Sequence, residues 1–137
     1  MSIRRDRRLS GGGEADRGAT TLELVVLFPV MLLLVFGILQ GVFWYHARTV
    51  ALAAAGSGVA VTRTEQGTSA AGRAAASDFV ERAGGGEVLA GVQVQAARSA
   101  TEASVTVSGR APSLLPGLPG PPVRQTATGP VERVTTS

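Results

Sequence analysis

LVVLFPVMLLLVFGIL (residues 24–39) is a continuous apolar stretch without a charged or strongly hydrogen-bonding side chain. After Gln40 and Gly41 the apolar run resumes as VFWY (residues 42–45). A helix rises about 1.5 Å per residue, so residues 24–45 would extend roughly 33 Å, which is enough to cross the hydrocarbon core of a bilayer. A soluble helix is rarely apolar on all sides over this length. We therefore predict a transmembrane helix spanning about 24–45.

The residues flanking this run predict its orientation. Trp44 and Tyr45 stand where an interfacial aromatic belt would place them. Only Arg48 follows closely, whereas five arginines precede the span: Arg4, Arg5, Arg7, Arg8 and Arg17. By the positive-inside tendency, residues 1–22 are cytoplasmic and residues 46–137 are extracytoplasmic. A cleaved signal peptide is the alternative, but its apolar core is usually shorter, and no small-x-small site directly follows this run.

Composition argues against several classes of function. The 137-residue chain has 13 basic residues, all arginine, against 10 acidic ones, for a net charge of +3. Most of that excess lies before the span, which leaves no basic face for nucleic acid. Cysteine is absent and His46 is the only histidine. The glycine runs at 11–13 and 84–86 lack the context of a phosphate loop and are interpreted as linkers. We expect no enzyme activity, no cofactor and no metal site.

The segment RGATTLE (residues 17–23) directly before the span carries one carboxylate, Glu23. A carboxylate costs about 2.5–3.5 kcal/mol at mid-bilayer and less near the interface. Glu23 could simply be a first-turn acid at the headgroup level, where it favours the helix dipole. Alternatively, its spacing from Gly18 matters, because a cut after Gly18 would make Glu23 the fifth residue of the new N-terminus.

With these residues the chain resembles type IV prepilins, and more closely the TadE-like pseudopilins of tight-adherence (Flp-type) pilus systems. The resemblance covers residues 17–62. It rests on Arg17-Gly18, four further residues, a glutamate and a long apolar run. Three further matching features are Pro29, the pair Gly37-Ile38 and an Ala-rich helix at residues 47–61.

The resemblance implies a processing site and a set of partners in the bacterial inner membrane. In such proteins a prepilin peptidase cuts after the glycine, here between Gly18 and Ala19. The glutamate, here Glu23, is thought to pair with the free amine of a neighbouring subunit. Other pilin-like subunits and pilus assembly proteins are then expected partners. A position near the end of the span that is often acidic in this family is Gln40 here, so no ion pair is expected there.

Two further features of the span suit a helix that packs against other helices. Gly37 and Gly41 lie four positions apart and would allow close backbone approach on one face. Pro29 removes a backbone donor, which predicts a kink or local unwinding.

Beyond the span, the pattern predicts a small α+β domain of pilin-like architecture, with the N-terminal helix as both anchor and spine. Thr68 or Ser69 caps a second helix that runs to Ala83. Helical spacing predicts one apolar side for this helix, formed by Ala71, Ala75, Ala76, Phe79, Val80 and Ala83. Alternating residues predict an antiparallel hairpin and a third strand. The predicted strands lie at 92–95, 103–108 and 123–128, with a turn at 98–102 and an irregular proline-rich segment at 111–122.

The predicted organisation has four parts, and large apolar side chains are scarce beyond the span. The parts are a leader at 1–18, the long helix at 19–62, the α+β domain at 63–128 and a loose tail at 129–137. After Tyr45 the only aromatic residue is Phe79, so the domain should be marginally stable alone.

Two functions remain open from the sequence. The first is a minor pilin-like (TadE-like) membrane protein that contributes to assembly of a tight-adherence pilus or a related secretion apparatus. The second is an unprocessed single-pass anchor that presents a small extracytoplasmic interaction domain. The N-terminal residue of the mature protein distinguishes them.

Overall fold

The structure, a computed structural model, describes the backbone of residues 12–135 and the side chains from Asp16 onwards. Residues 1–11 of the predicted leader and residues 136–137 of the predicted tail lie outside the described residues. The elements, in chain order, are α1 (Gly12–Thr62), α2 (Ser69–Arg82), a 3-10 turn (Gly85–Glu87), β1 (Ala90–Arg98), β2 (Glu102–Arg110) and β3 (Pro122–Pro130). This order confirms the predicted α+β class, with a long apolar helix, a short helix and a three-stranded antiparallel sheet. The chain divides into an N-terminal unit ending at Gly37 and a C-terminal unit from Ile38 onwards.

The N-terminal unit contains the first part of α1. Its large apolar side chains, from Leu22 to Phe36, are all exposed. The helix begins at Gly12, before the predicted start at Ala19, so the linker interpretation of the first glycine run is wrong from Gly12 onwards. It is helical on both sides of Pro29, and the predicted unwinding does not occur there. By length and composition, α1 could cross a membrane.

In the C-terminal unit, the last turns of α1 bury a face of small side chains. Ala47, Ala51, Ala54 and Ala55 have no exposed surface, and Val59 is nearly as buried. Their spacing of three and four residues places them on one side of the helix. Small side chains let the helix axis approach the sheet closely, and they join one hydrophobic cluster with the sheet's valines.

The sheet has the order β1-β2-β3, and both pairs are antiparallel. Strand β2 alternates as the sequence predicts. Its buried residues are Ala103, Val105 and Val107, and the half-buried residues between them are polar. The β1–β2 turn is closed at Ser99, whose amide donates to the Glu102 carbonyl at 2.8 Å. The Glu102 amide donates to Ser99 Oγ at 2.9 Å.

Helix α2 begins and ends where the sequence predicts. The Thr68 side chain caps it by accepting from the Ala71 amide at 3.0 Å, and Ala83 is the C-cap. Gly84 and Gly85 then adopt positive φ values of 127° and 58°, which favour glycine, and turn the chain towards β1. The second glycine run is therefore a structured turn and not a linker.

The buried face of α2 differs in part from the predicted one, because α2 crosses α1 at two glycines. Gly72 is buried, whereas the predicted core residue Ala71 is exposed. A Cβ on Gly58 would lie 2.8 Å from the Gly72 carbonyl oxygen and 3.0 Å from Val105 Cγ1. A Cβ on Gly72 would overlap the hydroxyl of buried Thr62. The absence of a side chain at Gly58 and Gly72 allows this crossing.

The core of the C-terminal unit is thin, as the sequence predicts. Its largest fully buried side chains are Leu89, Val80, Val105, Val107 and Thr62. Phe79 is only half-buried at the edge of the cluster. A core built from such small side chains contributes little free energy per residue, so each close contact matters to the stability of the fold.

Arg98 at the end of β1 caps the C-terminus of α1. Its guanidinium donates to the carbonyl of Thr62, to that of Thr64 at 2.6 Å and to that of Glu65 at 3.3 Å. These carbonyls lie at or just beyond the helix end, where acceptors lack intrahelical partners and a positive charge is favourable. These hydrogen bonds hold the β1–β2 hairpin against the C-terminal end of α1.

The tail from residue 129, which the sequence predicts to be loose, is held to the rest of the C-terminal unit by hydrogen bonds as far as Arg133. Strand β3 itself ends at Pro130. The Val131 amide then donates to the Thr101 carbonyl at 3.0 Å, and the Glu132 amide donates to the Arg63 carbonyl at 2.8 Å. Arg133 Nη2 donates to the Ala100 carbonyl at 2.7 Å. The serine- and threonine-rich composition did not reveal these long-range backbone contacts.

Candidate functional site

The predicted cleavage site lies inside α1. Gly18 and Ala19 are exposed, and a Cβ on Gly18 would meet nothing within 4 Å. Thr20 Oγ1 donates to the Asp16 carbonyl and Thr21 Oγ1 donates to the Arg17 carbonyl, each at 2.8 Å. Both hydrogen bonds span the Gly18–Ala19 peptide bond. The bond is reachable from solvent, but a peptidase that requires an extended segment would have to unwind this turn.

Glu23 lies one turn after Ala19 on an exposed apolar face. The surface around it is formed by Ala19, Leu22, Val26, Leu27 and Val30. Among the side chains of residues 16–135, none forms an ion pair with Glu23. Residues four apart share a helix face, so an amine created at Ala19 would lie on the same side as this carboxylate.

The predicted packing glycines have open space beside them. A Cβ on Gly37 or on Gly41 would meet nothing within 4 Å. Each position therefore leaves room for the backbone of another helix, which is what close packing between membrane helices requires. Neither glycine is used by packing within its own unit.

Gln40 has a role that the sequence did not predict. Its Nε2 donates to the Pro112 carbonyl at 2.8 Å, and its Oε1 accepts from the Leu114 amide at 3.1 Å. A carboxylate could accept from Leu114 but could not donate to Pro112. The side chain therefore acts as a neutral clamp on the β2–β3 loop, which an ionised carboxylate would not reproduce. The available signal was a single amide within an apolar run, because such a group needs a partner.

Trp44, one helical turn after Gln40, also contacts the β2–β3 loop. Its indole Nε1 donates to the Pro122 carbonyl at 3.3 Å, and the guanidinium carbon of Arg48 lies 6.0 Å from the ring centroid. The indole thus hydrogen-bonds to the base of the β2–β3 loop, while the Trp44 side chain remains partly exposed.

Within the part of the chain that the structure describes, no group of three or more acidic or histidine side chains could hold a metal ion. In the N-terminal unit, α1 presents an apolar surface with one carboxylate at its start. In the C-terminal unit, Gln40 of α1 clamps the β2–β3 loop. These features are suited to insertion into a membrane and to packing against other helices.

Residues 18–59 match the family described as TadE-like protein. The match begins at the predicted cleavage glycine and includes Glu23, Pro29 and the whole apolar run. No curated protein and no solved structure matches the chain significantly. The match confirms the predicted TadE-like character of this segment and indicates a membrane protein associated with a tight-adherence pilus.

Proposed function

We propose that this chain is a minor TadE-like pilin subunit or assembly factor, held in the bacterial inner membrane by α1, which contributes to assembly of a tight-adherence pilus or a related secretion apparatus. One observation carries the proposal. The apolar surface of α1 from Leu22 to Phe36 is exposed throughout, and a single carboxylate, Glu23, stands at its start. An apolar surface of this extent requires lipid or other helices around it. The chain acts as a packing partner and as a peptidase substrate, and it is not an enzyme.

The proposed orientation places the N-terminus in the cytoplasm, because most arginines near the span precede it. The chain has no cysteine, so a single introduced thiol can be labelled selectively. In intact spheroplasts lacking a prepilin peptidase, Ser137→Cys should react with a membrane-impermeant maleimide. Ser2→Cys should react only after permeabilisation. Labelling of Ser2→Cys alone would reverse the orientation and contradict both functions considered above.

Processing is the test of the function itself. Co-expression with a prepilin peptidase should remove residues 1–18 and leave Ala19 as the N-terminal residue, as intact mass and N-terminal sequencing would show. Gly18→Leu should block the cut, because a bulky side chain would not fit the peptidase cleft. The control is Gly56→Leu, a change at another exposed helical glycine with open space, which should be cut normally.

The alternative function is an unprocessed single-pass anchor that presents the C-terminal unit outside the membrane. It predicts that the chain starts at Met1 or Ser2 even when the peptidase is present. If the unaltered chain and Gly56→Leu both remain uncut under these conditions, the pilin-like proposal is wrong and the chain is an unprocessed membrane anchor.

A further inference from the structure

The loop between β2 and β3 is apolar at its tip. Residues 111–121 read APSLLPGLPGP and contain no charged side chain. Leu115 and Leu118 are 51% and 59% exposed. Gly117 between them has a φ of 77°, and the Leu118 amide donates to the Leu115 carbonyl at 3.3 Å. The tight turn therefore presents two leucines that the C-terminal unit leaves uncovered.

Hydrogen bonds from α1 fix the position of the loop along the helix axis. The Gln40 clamp holds Pro112 and Leu114, and the Trp44 indole holds Pro122. Gln40 precedes Trp44 by one helical turn, about 6 Å, in the direction of the span's centre. When Trp44 lies in the aromatic belt, the loop backbone at Gln40 is level with the edge of the hydrocarbon.

The loop also has few backbone donors that require water. Its prolines carry no N–H group. The Ala111 amide donates to the Pro121 carbonyl at 3.0 Å, and the Leu115 amide donates to Ser113 Oγ at 3.2 Å. Irregular backbone that faces lipid does not occur within the hydrocarbon itself, so the loop backbone must stay at the interface and only its apolar side chains can enter the acyl chains.

Basic side chains stand at the base of the loop. Arg110, the last residue of β2, donates to the Gly120 carbonyl at 3.1 Å, and Arg124 is exposed near the start of β3. Arginines flanking an apolar tip are suited to a membrane surface, where they contact headgroup phosphates while the tip enters the acyl chains.

We propose that the β2–β3 loop inserts Leu115 and Leu118 into the extracytoplasmic leaflet beside α1, as a second membrane contact of the unassembled chain. The inference rests on the proposed spanning helix. Lipid is the expected occupant, because the loop is bonded to residues of the span itself and lies at their level. The second contact restricts how the C-terminal unit can move relative to the bilayer before it meets a partner.

The test uses the full chain reconstituted into phosphatidylcholine–phosphatidylglycerol vesicles, with one introduced cysteine carrying an environment-sensitive fluorophore. The sites are Leu118→Cys at the loop tip, Leu33→Cys in the span and Thr126→Cys on the exposed face of β3. We expect the fluorophore at Leu118→Cys to be quenched by lipids with a nitroxide near the carbonyl end of the acyl chain, and weakly by aqueous iodide. The fluorophore at Thr126→Cys should show the reverse.

The outcomes separate this inference from the proposed function. Iodide quenching at Leu118→Cys equal to that at Thr126→Cys, with Leu33→Cys still quenched by lipid, overturns the loop insertion and leaves the spanning helix in place. Iodide quenching at Leu33→Cys overturns the spanning helix and the insertion with it. A fluorophore at Leu118→Cys that is protected from both quenchers indicates a protein cover and overturns the lipid assignment.

A second variant tests the clamp that sets the loop's depth. Gln40→Met, combined with Leu118→Cys, removes both the donor to the Pro112 carbonyl and the acceptor for the Leu114 amide without adding a titratable group. Quenching by nitroxide lipids should fall and quenching by iodide should rise, while Leu33→Cys in the same background stays unchanged. Unchanged quenching at Leu118→Cys would show that Gln40 does not position the loop, and would overturn that part of the inference.

Discussion

Glu23→Ala is expected to leave the chain inserted and cut after Gly18 but unable to associate with its pilin-like partners. After cleavage, the Ala19 amine is a new positive charge at the start of the helix. When processed helices pack side by side, each Glu23 can meet the amine of a neighbour. Removing one member of a buried ion pair typically costs about 3–5 kcal/mol, because the other is left unpaired. Association should therefore weaken by roughly two to four orders of magnitude, since each 1.4 kcal/mol is tenfold.

Crosslinking and co-purification with partner subunits measure this loss, and intact mass confirms that the cut still occurs. Glu23→Gln retains the shape of the side chain but lacks its charge, so this variant should lose association with the partner subunits almost as completely. Glu87→Ala removes an exposed carboxylate from the C-terminal unit and should assemble normally. Normal assembly of Glu23→Ala would show that Glu23 is only a helix-start acid at the headgroup level.

Alanine substitutions at two glycines of α1 are expected to change the stability of the fold in opposite directions. Gly58→Ala places a Cβ against the Gly72 carbonyl and against Val105, where neither the backbone nor a packed valine can yield freely. Overpacking of this kind costs about 1–3 kcal/mol. Gly56→Ala meets nothing within 4 Å, so it should stabilise the helix by about 0.5–1 kcal/mol.

The measurement is the urea midpoint of the full chain in detergent, together with hydrogen exchange of the β2 amides. Gly58→Ala should lower the midpoint and speed exchange at Val105 and Val107, whereas Gly56→Ala should raise the midpoint. Because both variants make the same chemical change in one helix, general effects of helix propensity or detergent cancel in the comparison. An equal shift in the same direction would contradict the role of the Gly58–Gly72 crossing.

Most of the fold could be predicted because its signals are local. The apolar run specified a long helix, since only such a helix satisfies its own backbone over that length. The cap at Thr68 and the alternation in β2 likewise depend on neighbours within a few residues. The interpretation of Gly18, Ala19 and Glu23 depends on spacing and on the TadE-like match, and the structure adds only that all three are exposed in one helix.

The sequence by itself therefore determined the long apolar helix, the class of the fold and the order of its elements, because propensity and periodicity act over a few residues. Tertiary structure alone decided how distant residues are used. Gln40 and Pro112 meet across a separation of 72 positions, and Arg98 reaches Thr62 across 36. The Gly58–Gly72 crossing is of the same kind. Such contacts depend on the relative placement of elements, and placement follows from burying a small core efficiently, which no local pattern specifies.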